Sequence, residues 1–224
     1  MTPALHPARH LVSPPSAALT GAGWFHRLAA ALTELRIDVD LSGRDIQREF
    51  DALYDRIRTN HRTRDAMRAL PLQLHGLLFR VREADGEYFV YAIEPLNNRI
   101  VAYTVFNRLV EVDRRTDRHL RAPHTKVVDG YRRMGIASAI YRWWLDSGRS
   151  LITGARQSAG AHGLWMALAR HYGLAAVRID TNKRLQRLPL PPPAGFFSAL
   201  DTRLVLLGRN CRPGDFLHLA DDDR

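Results

Sequence analysis

One stretch constrains this chain more than any other. It reads Thr125-Lys126-Val127-Val128, then Asp129-Gly130-Tyr131-Arg132-Arg133-Met134-Gly135, then Ile136-Ala137-Ser138. A short apolar run leads into a basic turn holding two glycines, and the turn opens directly into an amphipathic pattern. Strand, glycine-bearing turn and helix N-terminus, in that order, suit a phosphate. The first turn of a helix carries backbone N–H groups with no partner inside the helix, and the helix dipole adds partial positive charge there. Arg132 and Arg133 add side-chain charge in a planar donor geometry. Ile136, Ile140, Trp143 and Trp144 recur at helical spacing, which predicts a helix over residues 134–147 closed by Gly148. A short strand follows at residues 150–153. Ser158 is placed to cap a second helix with Ala161, Leu164, Trp165, Leu168, Ala169 and Tyr172 on its apolar face. Gly173 ends that helix, and residues 175–179 form a further strand. Strand, helix, strand, helix, strand predicts right-handed crossovers and local parallel pairing.

The upstream chain follows other periods. Residues 1–23, interrupted by Pro3, Pro7, Pro14 and Pro15, are expected to form a disordered leader. Phe25, Leu28, Leu32 and Leu35 predict a helix over residues 24–36. Ser42 and Asp45 resemble a helix-start box ahead of a second helix, striped by Ile46, Phe50, Leu53 and Ile57 and ending near Asn60. Its arginines, from Arg44 to Arg64, read as a solvated face. After Pro71 the period changes to that of strands. Residues 77–83 and 88–94 flank Asp85-Gly86, a strong hairpin signal, and Asn97-Asn98 turns the chain into a third strand at 100–106. Residues 110–124 read as a strand end plus a charged loop, and residues 125–128 as a short strand. Residues 182–195, with Pro189, Pro191, Pro192 and Pro193, read as an extended linker, and residues 204–207 as a last strand before a tail from 211 with an acidic end.

These elements predict an α/β fold with a central mixed sheet flanked by helices. A single domain over residues 24–210 would follow the leader. It divides into N-terminal helices (24–75), an antiparallel meander (76–128), a ligand-binding half (129–180), the linker (181–195) and the last strand (196–210). The 224-residue chain is long enough to bury a sizeable core, and no run approaches a membrane span or has the form of a secretory signal. One cysteine, Cys211, excludes an intramolecular disulfide framework and a cysteine-based zinc cluster; no metal is expected, and the cytoplasm is the expected compartment. The net charge of +10 suits an anionic partner. Lys126 and Lys183 are the only lysines, however, and the arginines are spread along the whole chain, as gene base composition would produce.

Helices first, then a meander, then strand, phosphate turn, helix, strand, helix and strand: this order resembles the GNAT superfamily of acyl-CoA N-acyltransferases. Arg132-Arg133-Met134-Gly135-Ile136-Ala137 matches that family's pyrophosphate signature of Arg or Gln, two variable residues, Gly, one variable residue, then Gly or Ala. Leu151-Ile152-Thr153-Gly154, Gln157-Ser158-Ala159-Gly160-Ala161 and Leu164-Trp165 are similar to the second half of small bacterial and phage-encoded GNAT-like proteins. The resemblance covers residues 88–179.

The resemblance implies acetyl-CoA or another acyl-CoA as co-substrate. Amides of Arg133, Met134, Gly135, Ile136, Ala137 and Ser138 would hold the pyrophosphate, with Arg132 and Arg133 assisting and Gly135 allowing close approach. The strands at Thr125–Val128 and Leu151–Thr153 would splay around the pantetheine. Val127 and Val128 would lie along it, and an amide near Val128 would polarise the thioester carbonyl. Trp165 would line the acyl pocket. The attacking amine needs a base near the strand ends. Glu94, Glu111, His119 and His124 are candidates, with His124 and Glu111 ranked first. Many family members carry an acidic tyrosine about four residues before the glycine that closes the second helix. Here that position is Ala169, and Ser158 would be the substitute.

The leading expectation is therefore an acyltransferase moving an acetyl or other acyl group from CoA to an amine, which is a small molecule, an aminoacyl group or a protein. One alternative is a protein of the same fold that binds acyl-CoA or acyl carrier protein without this chemistry. A second, from another class, is an arginine-rich nucleic-acid-binding module using the first two helices.

Overall fold

A computed structural model describes residues 43–218. The expected leader, the helix at 24–36, Ser42 and the acidic end at 221–223 lie outside the described residues. Helix α1 (Gly43–Thr59) and the single turn α2 (His61–Asp65) lead into β1 (Arg68–Leu74), β2 (Leu77–Ala84), β3 (Glu87–Glu94) and β4 (Arg99–Asn107). Helix α3 (Arg114–His119) precedes β5 (Leu120–Val127). Next come a 3-10 turn (Asp129–Tyr131), α4 (Ile136–Asp146), β6 (Ser150–Ile152) and α5 (Ala159–Leu168). The chain closes with β7 (Leu174–Ile179), β8 (Leu185–Leu188), β9 (Thr202–Leu206) and the short β10 (Leu217–His218). All ten strands join one mixed sheet in the order β1-β2-β3-β4-β5-β6-β9-β7-β8-β10. The fold is thus α/β with helices on both faces of a central sheet.

The hairpin signal is realised by left-handed backbone at Asp85 (φ 54°) and Gly86 (φ 77°), the geometry a two-residue turn needs. The meander β1 to β5 is antiparallel throughout. Strand alternation sends Val90 and Ala92 to one face and Tyr91 to the other. On the first face α4 and α5 cover a core of Phe79, Val81, Phe106, Ile140, Trp144, Leu145, Leu151 and Leu168. Trp144 stacks on Phe106 with ring centroids 4.1 Å apart and meets Tyr88 edge-on at 5.0 Å. On the second face the apolar stripe of α1, Ile46 and Phe50, packs on Tyr91 and Ile100.

The structure differs from the sequence expectation at five places, the first being the chain from 211, expected as a tail, where β10 pairs parallel with β8. Residues 68–74 form a strand despite Pro71. That strand lies at the sheet edge, where a missing N–H is tolerated. The charged stretch at 110–124 holds a helix and the first half of β5, not a loop. Asp113 caps α3 through the Thr116 amide at 2.8 Å. Asp117 is buried as a hub, accepting from the Leu109 amide at 2.8 Å and from Arg108 at 2.9 Å. The supposed linker contains β8, which pairs antiparallel with β7. Finally, β6 and β7 are not neighbours: β9 lies between them, antiparallel to both. Only β5 and β6 form a parallel pair of adjacent strands in the strand-helix-strand region.

Candidate active site

Strands β5 and β6 pair only at Leu120 with Ser150 and Arg121 with Leu151. Beyond that point β6 turns away toward Thr153 and α5, while β5 runs on to Val127, still paired with β4. A V-shaped gap therefore opens inside the sheet, with β5 residues 122–127 along one arm. At ~3.3 Å per residue that arm is about 20 Å long. The arm ends at the basic turn and the N-terminus of α4, and the opposite arm ends at the N-terminus of α5. A groove of about 970 Å³ fills the gap.

Pairing parity decides which groups of β5 face the groove. The Val128 amide donates to the Val101 carbonyl at 2.9 Å, so Val128 points its N–H at β4. Alternation then turns the amides of Thr125 and Val127 toward the open side. The Arg132 Nε lies 3.4 Å from the Val127 carbonyl, consistent with that direction. Val128, expected near the reacting carbonyl, instead packs its side chain in the α1-facing core.

The turn departs from ordinary backbone at two positions: Arg133 at φ 63° and Gly135 at φ 79°. Glycine removes the Cβ conflict of the left-handed region. A Cβ on Gly135 would meet no protein atom within 4 Å, so the space beside it is open. The Gly135 carbonyl already accepts the first helical bond, from Ala139 at 2.9 Å. The amides of Ile136, Ala137 and Ser138 form the first turn of α4. Arg132 pairs with Asp129 at 3.0 Å. The Met134 carbonyl contacts the His75 ring nitrogen at 3.1 Å. Arg132, Arg133, Gly135, Ile136, Ala137 and Ser138 all line the groove; Met134 does not.

The other expected site residues separate by position. His124, Val127, Ser158 and Trp165 line the groove. Trp165 is also core, at 2% exposure. Ser158 Oγ caps α5 through the Ala161 amide at 3.2 Å. Glu111 lies outside the groove lining and holds the buried Arg203 guanidinium at 2.8 and 3.2 Å. Glu94 sits at the far end of β3, bound by Tyr131, Asn97 and Arg99. His119 packs against Phe216.

Two clusters had no sequence signal. On the α4 side, Tyr141 lines the groove with its hydroxyl 3.2 Å from Thr125 Oγ1, which lies 2.8 Å from Thr104 Oγ1. Burial pushes the Tyr141 phenol up to about 12, so it stays protonated. On the α1 side, Glu49 accepts from Lys126 Nζ at 2.5 Å and from the Tyr103 hydroxyl at 2.6 Å. Burial pushes the Glu49 carboxyl up. The hydrogen bonds from Lys126 and Tyr103 and the Lys126 charge outweigh it and hold the carboxyl below its usual range. The His124 ring lies 6.5 Å from the Tyr103 ring. Burial and then the Lys126 charge lower its pKa, with Glu49 opposing. Imidazole is therefore the form at neutral pH, with a nitrogen lone pair for a proton. Glu49 comes from α1, far from β5 in sequence, and only the packing of Ile46 and Phe50 brings it there.

No protein-family model matches the chain, and no curated protein matches it. Solved structures with a similar arrangement include a GNAT superfamily phosphinothricin acetyltransferase from Sinorhizobium meliloti in complex with AcCoA, at 18% identity and TM-score 0.33, covering 55% of this chain and 62% of that one. A cAMP-binding acyltransferase from Mycobacterium smegmatis is similar at 11% identity and TM-score 0.39 over 83% of this chain and 59% of that one. The chain thus spans less than two thirds of the length of either. Likenesses at this level carry no functional weight, and the groove itself must supply it. Among the described residues no helix is long and apolar enough to cross a membrane.

Proposed function

We propose that this chain is an acyl-CoA-dependent N-acyltransferase of the GNAT kind. The observation that carries the proposal is the interior edge of β5, open from residue 122 to 127 and leading straight to the amides of α4. An extended, amide-bearing arm with a diphosphate at one end matches both features, and the pantetheine and pyrophosphate of CoA have that form. The pyrophosphate sits on the Ile136, Ala137 and Ser138 amides, with Arg132 and Arg133 beside it. The pantetheine pairs with the Thr125 and Val127 edge as an added strand.

The gap gives the two reactants separate faces of the sheet. The donor lies on the α4 side, and the amine enters on the α1 side, where His124, Lys126 and Glu49 stand. His124, held neutral, takes the proton of the attacking amine. A groove-facing amide of β5 donates to the carbonyl oxygen as its charge develops. The bond between carbonyl carbon and sulfur breaks, the proton still to be lost from the amine nitrogen passes to the departing thiolate, and CoA leaves as the thiol.

Calorimetry and thermal stabilisation with acetyl-CoA and longer acyl-CoAs test this, beside Arg132→Ala and Gly135→Glu. Wild type should bind and gain stability by mass action, and Gly135→Glu should lose binding through like charge at the phosphate. Well-folded wild type that binds no CoA species would sink the proposal. Binding without transfer to any amine in a broad panel would leave a CoA-binding protein and refute the catalytic part.

A further inference from the structure

Lys126 places a primary amine where the proposed acceptor must stand. Its strand holds the donor edge, its amide neighbours are the Thr125 and Val127 N–H groups, and its side chain points to the α1 face of the gap with His124. The amine is held 2.5 Å from Glu49 and the side chain is only 23% exposed, so it is confined at the groove and does not sweep through solvent. Confinement beside a bound electrophile raises effective concentration by orders of magnitude. The other lysine, Lys183, is exposed and donates to the Val110 carbonyl at 3.0 Å, outside the groove lining.

We infer that Lys126 is itself an acyl acceptor, so that the chain acylates its own groove when donor is bound and no external amine is present. The inference rests on the function proposed above. In the step, the Lys126 ammonium first gives one proton to His124. Nζ then forms a bond to the thioester carbonyl carbon, and the carbon–sulfur bond breaks. The second Nζ proton goes to the departing thiolate, which leaves as CoA thiol. The product is a neutral amide at Lys126 and a proton on His124 for release to solvent. Neutralising Lys126 dissolves its pair with Glu49 and fills the α1 side of the gap. The modification therefore competes with transfer to external amines, and an external amine suppresses it.

The two lysines make a clean test. The full chain is incubated with acetyl-CoA, and acetylation at each lysine is followed by intact mass and peptide mapping. Binding is measured in parallel by calorimetry. Lys183 reports the uncatalysed chemical rate within the same molecule. Native protein should acetylate Lys126 at least about tenfold faster than Lys183 despite its lower exposure. That preference should vanish in urea-unfolded protein. Lys126→Arg, which keeps the charge facing Glu49, should gain no acetyl group in the groove. Glu49→Gln should speed the reaction, because the carboxylate that holds the ammonium is gone. CoA binding with no preference for Lys126, or with Lys183 faster, would overturn this inference and leave the proposed function standing. Failure of CoA to bind would overturn both.

Discussion

The α5 histidine gives the most quantitative expectation. His162 is 3% exposed, its ring meets Phe197 edge-on at 5.7 Å, and neither ring nitrogen has a hydrogen-bond partner among the described residues. Burial alone lowers its pKa from 6.5 to about 4. The folded state therefore refuses a proton that the unfolded chain accepts below pH 6.5. Stability from this residue is intact above that pH and is lost as pH falls toward 4. Integrating the difference in proton binding gives a loss of about 2 kcal/mol at pH 5 and about 3 kcal/mol at pH 4, relative to a residue that does not titrate. The perturbation is His162→Leu, which fills similar space with no titrating group. Urea unfolding of both proteins at pH 7, 6 and 5 is the assay. Wild type should lose about 2 kcal/mol more than the variant between pH 7 and pH 5. Other titrating groups are shared, so they cancel in the comparison. Parallel stability curves for the two proteins would refute a neutral, desolvated His162.

Other expectations follow from the same geometry. Transfer activity should rise with pH through the lowered His124 pKa, below the usual 6.5, and His124→Gln should remove that limb while leaving CoA affinity within about twofold, measured by pH–rate profiles and calorimetry. Asp117→Ala should cost about 3 kcal/mol in urea unfolding, because it leaves the buried Leu109 amide without its acceptor and takes the carboxylate partner from both Arg108 and Arg121. Gly208→Ala should destabilise by more than about 1 kcal/mol, since its Cβ would lie 2.6 Å from the Arg149 backbone, and the Arg149 guanidinium sits on Trp144. Gly135→Ala meets no protein atom and should cost only about 1 kcal/mol of left-handed strain, so a larger loss in CoA affinity than in stability would separate ligand approach from folding.

Local chemistry made part of this fold legible. The stripe of Ile46, Phe50, Leu53 and Ile57 marked α1, Asp85-Gly86 marked its hairpin, and Ser158 marked the start of α5. The glycine-bearing turn stood out because left-handed backbone at a helix entrance leaves a compositional trace. What escaped was what depends on long-range packing. Helix α3 is a single short stretch whose Asp117 is buried by Arg108 and Arg121, so its charges looked like a loop. β8 is too short for a period. Direction within β5 depends on the pairing register, which aims the Val128 amide at β4 and the amides of Thr125 and Val127 at the gap. Glu49 and Tyr141 carried no motif; Tyr141 lines the groove, and Glu49 meets the groove-lining Lys126, only because a helix docks on each face of the sheet.

The place of β9 has a consequence for how the molecule comes into being on the ribosome. β6 is a three-residue strand, and apart from two pairs with β5 its partner is β9, which emerges some fifty residues later. Until residues 202–206 have left the exit tunnel, β6 and β7 have nothing to bridge them. The N-terminal meander can assemble early from neighbours in sequence, while the far wall of the gap waits. The open edge of β5 is thus the part of the gap that can form first and its far wall the part that forms last, so a ligand that spans both would act as a late-stage folding template.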